Sequence, residues 1–245
     1  EEIEVSTLIR DYERFAKEAN EICKGRVYTD HLRRYAYGVD ASCYSYLPKV
    51  VVKAEDEREV RRLIRLCQQC GTPFTFRAAG SSLSGQCSSE DVLIVCNDGF
   101  KKMEVIDDGK ALKCECGVIG SDANDLLKPY NRKIGPDPAT LATALVGGIL
   151  NNNSSGMCCG TAQNSYKTIR SIRVVLLDGS ILDTSDQKSI NQFLKEKPQM
   201  VEDILQLRKD ILADEELTHL IHHKYKIKNT TGYGLNSLVD FEDII

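Results

Sequence analysis

Arg77-Ala78-Ala79-Gly80-Ser81-Ser82-Leu83-Ser84-Gly85-Gln86 is a run of small residues with hydroxyls among them. Side chains there add little bulk, so backbone N–H groups are able to turn inward and approach an anion. Gly80 suits a positive φ, and Ser81 and Ser82 add hydroxyl donors. The guest this chemistry fits is a phosphate or pyrophosphate. No Gly-x-x-x-x-Gly-Lys-Ser/Thr is present, so the loop is not a P-loop, and no Gly-x-Gly-x-x-Gly opens a helix, so it is not a Rossmann turn. An ordinary Ser/Gly surface loop has the same composition, and the stretch alone does not separate the two readings.

A second stretch adds to the binding reading. Gly147-Gly148-Ile149-Leu150-Asn151-Asn152-Asn153-Ser154-Ser155-Gly156 is again small and polar, and follows Pro136-Asp137-Pro138-Ala139-Thr140. Three consecutive amides offer donors and acceptors to a ligand with alternating polar edges. A charge-assisted hydrogen bond contributes about 1.5–3 kcal/mol, whereas nanomolar affinity needs about 12 kcal/mol net. Two separated loops closing on one elongated ligand would meet that demand; a tight turn would also explain the Asn run.

The order of these stretches, Arg-Ala-Ala-Gly-Ser-Ser-Leu-Ser-Gly-Gln, Gly-Pro-Asp-Pro-Ala and Val-Gly-Gly-Ile-Leu-Asn-Asn-Asn-Ser-Ser-Gly, resembles the flavin-binding domain of FAD-linked oxidases. That family includes vanillyl-alcohol oxidase, p-cresol methylhydroxylase and the D-lactate and glycolate dehydrogenases. Ser155-Gly156-Met157-Cys158-Cys159-Gly160-Thr161-Ala162-Gln163-Asn164-Ser165-Tyr166-Lys167-Thr168 resembles more narrowly the D-lactate dehydrogenase group whose longer members add iron–sulfur motifs. The resemblance runs from about Tyr35 to Phe241. It implies an α+β fold, a two-lobed FAD-binding domain of the p-cresol methylhydroxylase type. A small β-α-β lobe (residues 1–97) is followed by a larger mixed or antiparallel sheet lobe with helices (98–245).

The resemblance further implies FAD extended between the lobes. Backbone amides from Ala79, Gly80, Ser81 and Ser82 would hold the pyrophosphate, within a set that includes Ala78, Leu83, Ser84 and Gly85. Pro138, Gly147, Gly148, Asn152, Ser155 and Gly160 would line the ribityl and ring side, and the main chain at Ile172 would flank the adenine or ribityl part. Glycines are frequent in the family where this chain has Ala78 and Ala79, and a positive φ there would strain the alanines. The implied reaction is oxidation of a small 2-hydroxy acid, D-lactate to pyruvate, with electrons passed to a non-nicotinamide acceptor. Its electron-transfer partner would be a separate protein or an iron–sulfur domain of a longer chain. The family's Gly-Ser-Glu-Gly stretch and cap domain, which carry much of the substrate chemistry, are not in this sequence, and no catalytic residue is assigned. The ends at Glu1 and Asp243-Ile244-Ile245 carry the expectation of a piece of a longer protein. Alternatives are a glycolate or D-2-hydroxyglutarate dehydrogenase, an alkyl-dihydroxyacetone-phosphate synthase-like flavoenzyme, and a non-enzymatic cysteine-based metal or redox protein.

Bulk properties fit such a domain. At 245 residues, 42% hydrophobic and 28% charged, the chain has the size and composition to bury a core. Its net charge of -4 argues against a nucleic-acid partner. No apolar run approaches the ~20 residues of a membrane span and no secretory signal is visible, which points to the cytoplasm, with peripheral contact to a membrane left open. Of ten cysteines, Cys67 and Cys70 form a C-x-x-C without a partner pair at zinc spacing. Cys114 and Cys116 would share a strand face, and no iron–sulfur run is present. Buried free thiols in a reducing compartment account for most of the ten. His219, His222 and His223 are spaced as a helix-borne metal pair would be, but a solvated helix end explains them more simply; no metal is assigned.

The elements that must position these residues follow from pattern. Ser6 would cap a helix carrying Leu8, Ile9, Tyr12, Phe15, Ala16, Ala19 and Ile22. Val50-Val51-Val52, a helix from Asp56 to Cys70 closed by Gly71, and Pro73–Phe76 form a β-α-β unit that ends in the first loop. Asp91–Cys96 is a further strand. Lys101–Ile106 and Ala111–Cys116 pair across Asp108-Gly109, and a short helix starts at Ser121 or Asp122. Ile172–Leu177 turns at Asp178-Gly179 into Ile181-Leu182. Met200–Ile211 and Glu215–His223 read as helices. Tyr35–Ser42 matches the family's opening segment, with no physical role evident from its residues.

Overall fold

Branched apolar runs become the central sheet. A computed structural model describes residues 10–229 and 233–241. The chain divides into two units: the first takes the chain through Lys133 with Thr140–Gly148 and Leu177–Ser180; the second takes Ile134–Ala139, Ile149–Leu176 and the chain from Ile181 on.

In the first unit, helix α1 (Tyr12–Ile22) starts at Asp11, whose carboxylate accepts the Arg14 amide at 2.9 Å. The expected cap Ser6, with Leu8 and Ile9, lies outside the described residues. Strand β1 (Val27–Tyr28) and helix α2 (His31–Ala36) follow; α2 is capped by Asp30 and was not evident from periodicity. Strand β2 (Val50–Lys53), helix α3 (Glu57–Gln69), strand β3 (Phe74–Arg77) and strand β4 (Val92–Val95) make the β-α-β core. The sheet order is β1-β2-β4-β3; β2, β4 and β3 are parallel, with Val92 facing both Val50 and Phe74, and β1 is antiparallel at the edge. All four β4 residues are buried, as a strand flanked on both sides and covered on both faces requires. Helix α3 turns Val60, Leu63, Ile64, Leu66 and Cys67 inward and begins at Asp56, which accepts the Glu59 amide at 2.7 Å.

Arg26, just before β1, grips Glu59 of α3 with two hydrogen bonds of 2.9 and 2.6 Å and gives a third, at 2.7 Å, to the Lys53 carbonyl. Burial works to raise the Glu59 carboxyl, but the bonds from Arg26 and the Glu55 amide outweigh it and its pKa lies below the ordinary value. Strands β5 (Met103–Ile106) and β6 (Ala111–Cys114) pair across Asp107, Asp108 and Gly109, all at positive φ. Cys116 lies past the end of β6, so it does not share a strand face with Cys114 as expected. Helix α4 (Gly120–Leu127) starts one residue before Ser121 without a side-chain cap, and a 3-10 turn at Lys128–Tyr130 ends it.

Helix α5 (Val146–Asn151) begins in the first unit and ends in the second. The second unit contains helix α6 (Ser165–Thr168), the antiparallel pair β7 (Arg173–Val175) and β8 (Ile181–Asp183), and helices α7 (Gln187–Glu196), α8 (Pro198–Ala213), α9 (Glu215–Lys224) and α10 (Ser237–Asp240). Helices α7 and α10 were not foreseen. Cys23, Cys67, Cys70 and Cys159 are buried free thiols, but Cys43, Cys116 and Cys158 are exposed, so burial does not account for most of the ten.

Candidate functional site

Strand β3 ends at Arg77 and delivers the first loop. Gly80 takes φ 76° and Gly85 φ 74°, while neither Ala78 nor Ala79 is among the residues at positive φ, so the alanines carry no such strain. Arg77 folds back over the loop it precedes. Its Nη1 donates to the Tyr37 carbonyl at 3.0 Å, and its guanidinium lies 5.8 Å from the Tyr37 ring centre. A Cβ on Gly80 would stand 2.8 Å from the Arg77 Cζ. The Gly80 carbonyl accepts the Ala41 amide at 3.0 Å, and the Tyr44 ring closes over Gly85 so that a Cβ there would meet its Cδ2 at 2.8 Å. The opening segment around Tyr37–Tyr44 thus frames the loop, a role its composition concealed. Within the loop Ser82 Oγ contacts Gln86 Oε1 and takes the Ser84 amide at 3.4 Å, and Leu83 is 78% exposed.

The second stretch starts as helix α5 and not as a loop. Its first two amides extend a local pairing: Val146 N–H donates to the Val118 carbonyl and Gly147 N–H to the Cys116 carbonyl, each at 2.8 Å. Gly147 has no room for a side chain, since its Cβ would lie 2.7 Å from that of Cys116. A Cβ on Gly148 would sit 3.6 Å from the Cβ of Ala78. The two small-residue stretches, seventy positions apart in the chain, therefore touch inside the first unit.

The remaining expected residues belong to the second unit. Asn153 takes φ 42°, and its Oδ1 accepts the Tyr166 amide at 3.0 Å. Ser165 Oγ donates to the Ile149 carbonyl at 3.0 Å, tying the end of α5 to α6. Ser155 is buried at 6% exposure, and its Oγ has no hydrogen-bond partner among the described residues. Asn152 is exposed, and Gly160 has φ 50° with open space where a Cβ would go. Pro138 follows Asp137, whose carboxylate accepts the amides of Cys158 and Cys159 at 3.2 Å each. Hydrogen bonding by Cys159 above all, joined by Cys158, holds the Asp137 carboxyl down at about 2. Ile172 makes two hydrogen bonds with Thr184: its amide donates to the Thr184 Oγ1 at 2.8 Å and its carbonyl accepts the Thr184 amide at 2.9 Å.

Arg77 is the residue that sequence reasoning passed over: quoted at the head of the loop, it was not counted in the site. Among the described residues no group of three or more His, Cys, Asp and Glu side chains is gathered as a metal site, and His222 Nδ1 lies 3.5 Å from Asp240. Burial pushes the Cys23, Cys67 and Cys96 thiols up to about 12, so these three stay protonated near neutral pH.

A loop of small residues with the Arg77 guanidinium packed against Gly80 suits a ligand carrying a diphosphate, and the orphaned Ser155 hydroxyl suits a polar partner that the chain itself does not supply. Residues 48–185 match the FAD binding domain family, more than half of the chain. The chain belongs to that family. As an FAD-binding domain it is 28% identical over 164 residues to the D-2-hydroxyglutarate dehydrogenase of Escherichia coli strain K12, a match covering 65% of this chain and 16% of that protein. It is 28% identical over 138 residues to the D-lactate dehydrogenase of Archaeoglobus fulgidus, covering 55% of this chain and 30% of the relative. The chain thus spans a small part of the curated relatives it matches. Alkyldihydroxyacetonephosphate synthase shares the fold at a TM-score of 0.61 and 20% identity, over 73% of this chain and 35% of that one. p-Cresol methylhydroxylase with substrate bound does so at 0.59 and 16%, over 71% and 35%. The fold is the α+β FAD-binding fold of the p-cresol methylhydroxylase type.

Proposed function

We propose that this chain is the FAD-carrying domain of a flavin-dependent 2-hydroxy-acid dehydrogenase, with D-lactate oxidised to pyruvate and electrons handed to a non-nicotinamide acceptor. Bound FAD would supply the hydride-accepting chemistry that such an oxidation needs. The chain's own residues bind and orient it. Amides of Ala79 to Ser82 meet the diphosphate, Arg77 sets a positive charge beside it, and the Ala41 and Tyr44 contacts hold the loop open to it before it arrives. Ser84, Gly85, Pro138, Gly147, Gly148, Asn152, Ser155, Gly160 and Ile172 complete the proposed contact set. The observation that carries the reading is the meeting of Ala78 and Gly148, which joins two amide-rich stretches where the sequence asks for one long anionic ligand. Relatives named for hydroxy-acid dehydrogenases support the substrate class.

The acid itself has a second reading. The match to the D-2-hydroxyglutarate enzyme covers more of this chain than the match to the D-lactate enzyme does, and favours a longer acid. The proposed location is the cytoplasm; no helix among the described residues is long and apolar enough to cross a membrane. Visible absorption of the purified protein tests the cofactor: a flavin spectrum released by heat is expected, and its absence after reconstitution with FAD would reject the reading. Turnover of D-lactate, D-2-hydroxyglutarate and glycolate by the full-length protein with an artificial electron acceptor ranks the substrates.

A further inference from the structure

Hydrogen bonds within the Gly80 loop are local: the Ser84 amide reaches Ser82 Oγ at 3.4 Å and the Ser88 amide reaches the Gly85 carbonyl at 3.2 Å. A tight hairpin lies across the loop from outside. Val39 pairs with Ser45 in an antiparallel bridge, and the Tyr46 amide donates to the Gly38 carbonyl at 2.8 Å. Gly38 leaves no room for a side chain, which would run into the Tyr46 carbonyl. The hairpin touches the loop at Gly80, whose carbonyl accepts the Ala41 amide, and at Gly85, which the Tyr44 ring covers. Asp40 supplies a third tie. Its Oδ1 accepts the Ser42 amide at 2.8 Å and shapes the hairpin tip, while its Oδ2 accepts the Cys87 S–H at 3.3 Å and holds the far end of the loop.

Both partners are in the right protonation state for that bond. Burial works to raise the Asp40 carboxyl, but the bonds from Ser42 and Cys87 outweigh it, so Asp40 is ionised at neutral pH. Burial, and then the bond to Asp40, raise the Cys87 thiol, which keeps the proton it donates. The charge itself is badly placed for an anion site. Asp40 precedes Ala41, the residue bonded to Gly80, and like charges repel, so on electrostatics alone a diphosphate would bind better without it.

We propose that Asp40 is a positioning residue for the diphosphate: through Ser42 and Cys87 it latches the hairpin of residues 38–46 onto the loop and keeps the Gly80 turn preformed for its ligand. The ligand's identity rests on the flavin reading; the latch does not. Preforming the loop lowers the ordering cost of binding, and that gain outweighs the repulsion.

The two effects have opposite signs, which makes Asp40→Asn decisive. It removes the charge together with the acceptor that faces the thiol. FAD affinity of the purified protein, followed by flavin fluorescence, is expected to fall about tenfold, where a charge effect alone would raise it. Cys87→Val should weaken FAD to a similar degree, and Cys87→Ser, whose hydroxyl donates as the thiol does, should restore it. The Asp40→Asn, Cys87→Val double variant should bind no more weakly than either single one, since both act through one contact. Pyrophosphate, titrated calorimetrically, should follow the same order. Equal or tighter FAD binding in Asp40→Asn would overturn the latch and leave the flavin reading standing, as would Cys87→Ser binding as weakly as Cys87→Val. Should Asp40→Asn not fold, the two Cys87 variants decide alone. A wild-type protein that takes up no FAD, yet binds pyrophosphate in the order given, would keep the latch and remove the flavin reading; one that binds neither would remove both.

Discussion

Gly80 meets two independent demands. Its φ of 76° costs an L-residue about 1 kcal/mol or more, and its missing Cβ leaves the space that Arg77 occupies. Gly80→Ala therefore strains the turn and displaces the guanidinium at once. FAD affinity, followed by flavin fluorescence, is expected to fall at least about tenfold, with far-UV circular dichroism unchanged; undiminished affinity would mean the diphosphate lies elsewhere. At this scale the sequence was informative about composition and silent about direction. Small residues at 78–85 announced a loop able to approach an anion, but nothing in the order of letters says that Arg77 doubles back onto Tyr37. Nor does it say that Ala78 and Ala79 keep out of the positive-φ region, as their backbone does.

Among elements, those with an unbroken apolar signal were legible. Three valines in β2, the apolar β4 and the amphipathic α3 were each found within a residue or two of their limits. Helices α2 and α7 were missed because their sequences are largely polar and their capping residues, Asp30 and Asp186, occur equally well in turns. Helix α5 was missed for the opposite reason. Two glycines and the asparagine run that begins at Asn151 argue against a helix, but the close approach of Gly147 to Cys116 admits no larger residue, and tertiary packing overrides propensity. The Arg26–Glu59 pair ties the entrance of β1 to α3, with Glu59 only 12% exposed at its side chain. Its folded pKa is depressed, so its contribution is complete above the ordinary value of 4.5 and disappears as pH falls through the lower folded value. Glu59→Gln is expected to lose about 2–3 kcal/mol in urea unfolding at pH 7, and the gap to wild type should narrow steadily below pH 4.5. A gap that widened in acid would contradict this sign.

On the scale of the whole molecule, the family match spans residues 48–185 and both units. The first unit is not one continuous piece of chain. Its helix α3 is held from outside by the tip of a later hairpin: Arg61 Nε donates to the Gly179 carbonyl and Gln68 Nε2 to the Leu177 carbonyl, each at 2.7 Å. A chain truncated after residue 170 keeps β1 to β4 but forfeits both bonds; amide hydrogen exchange in α3 should quicken relative to the intact chain, while β4 stays protected. The same arrangement bears on synthesis. A ribosome that has released only the β-α-β core has made an unfinished object, whose helix is held by its buried apolar face and the Arg26–Glu59 pair while it waits, over roughly a hundred codons, for the tip that completes its polar side.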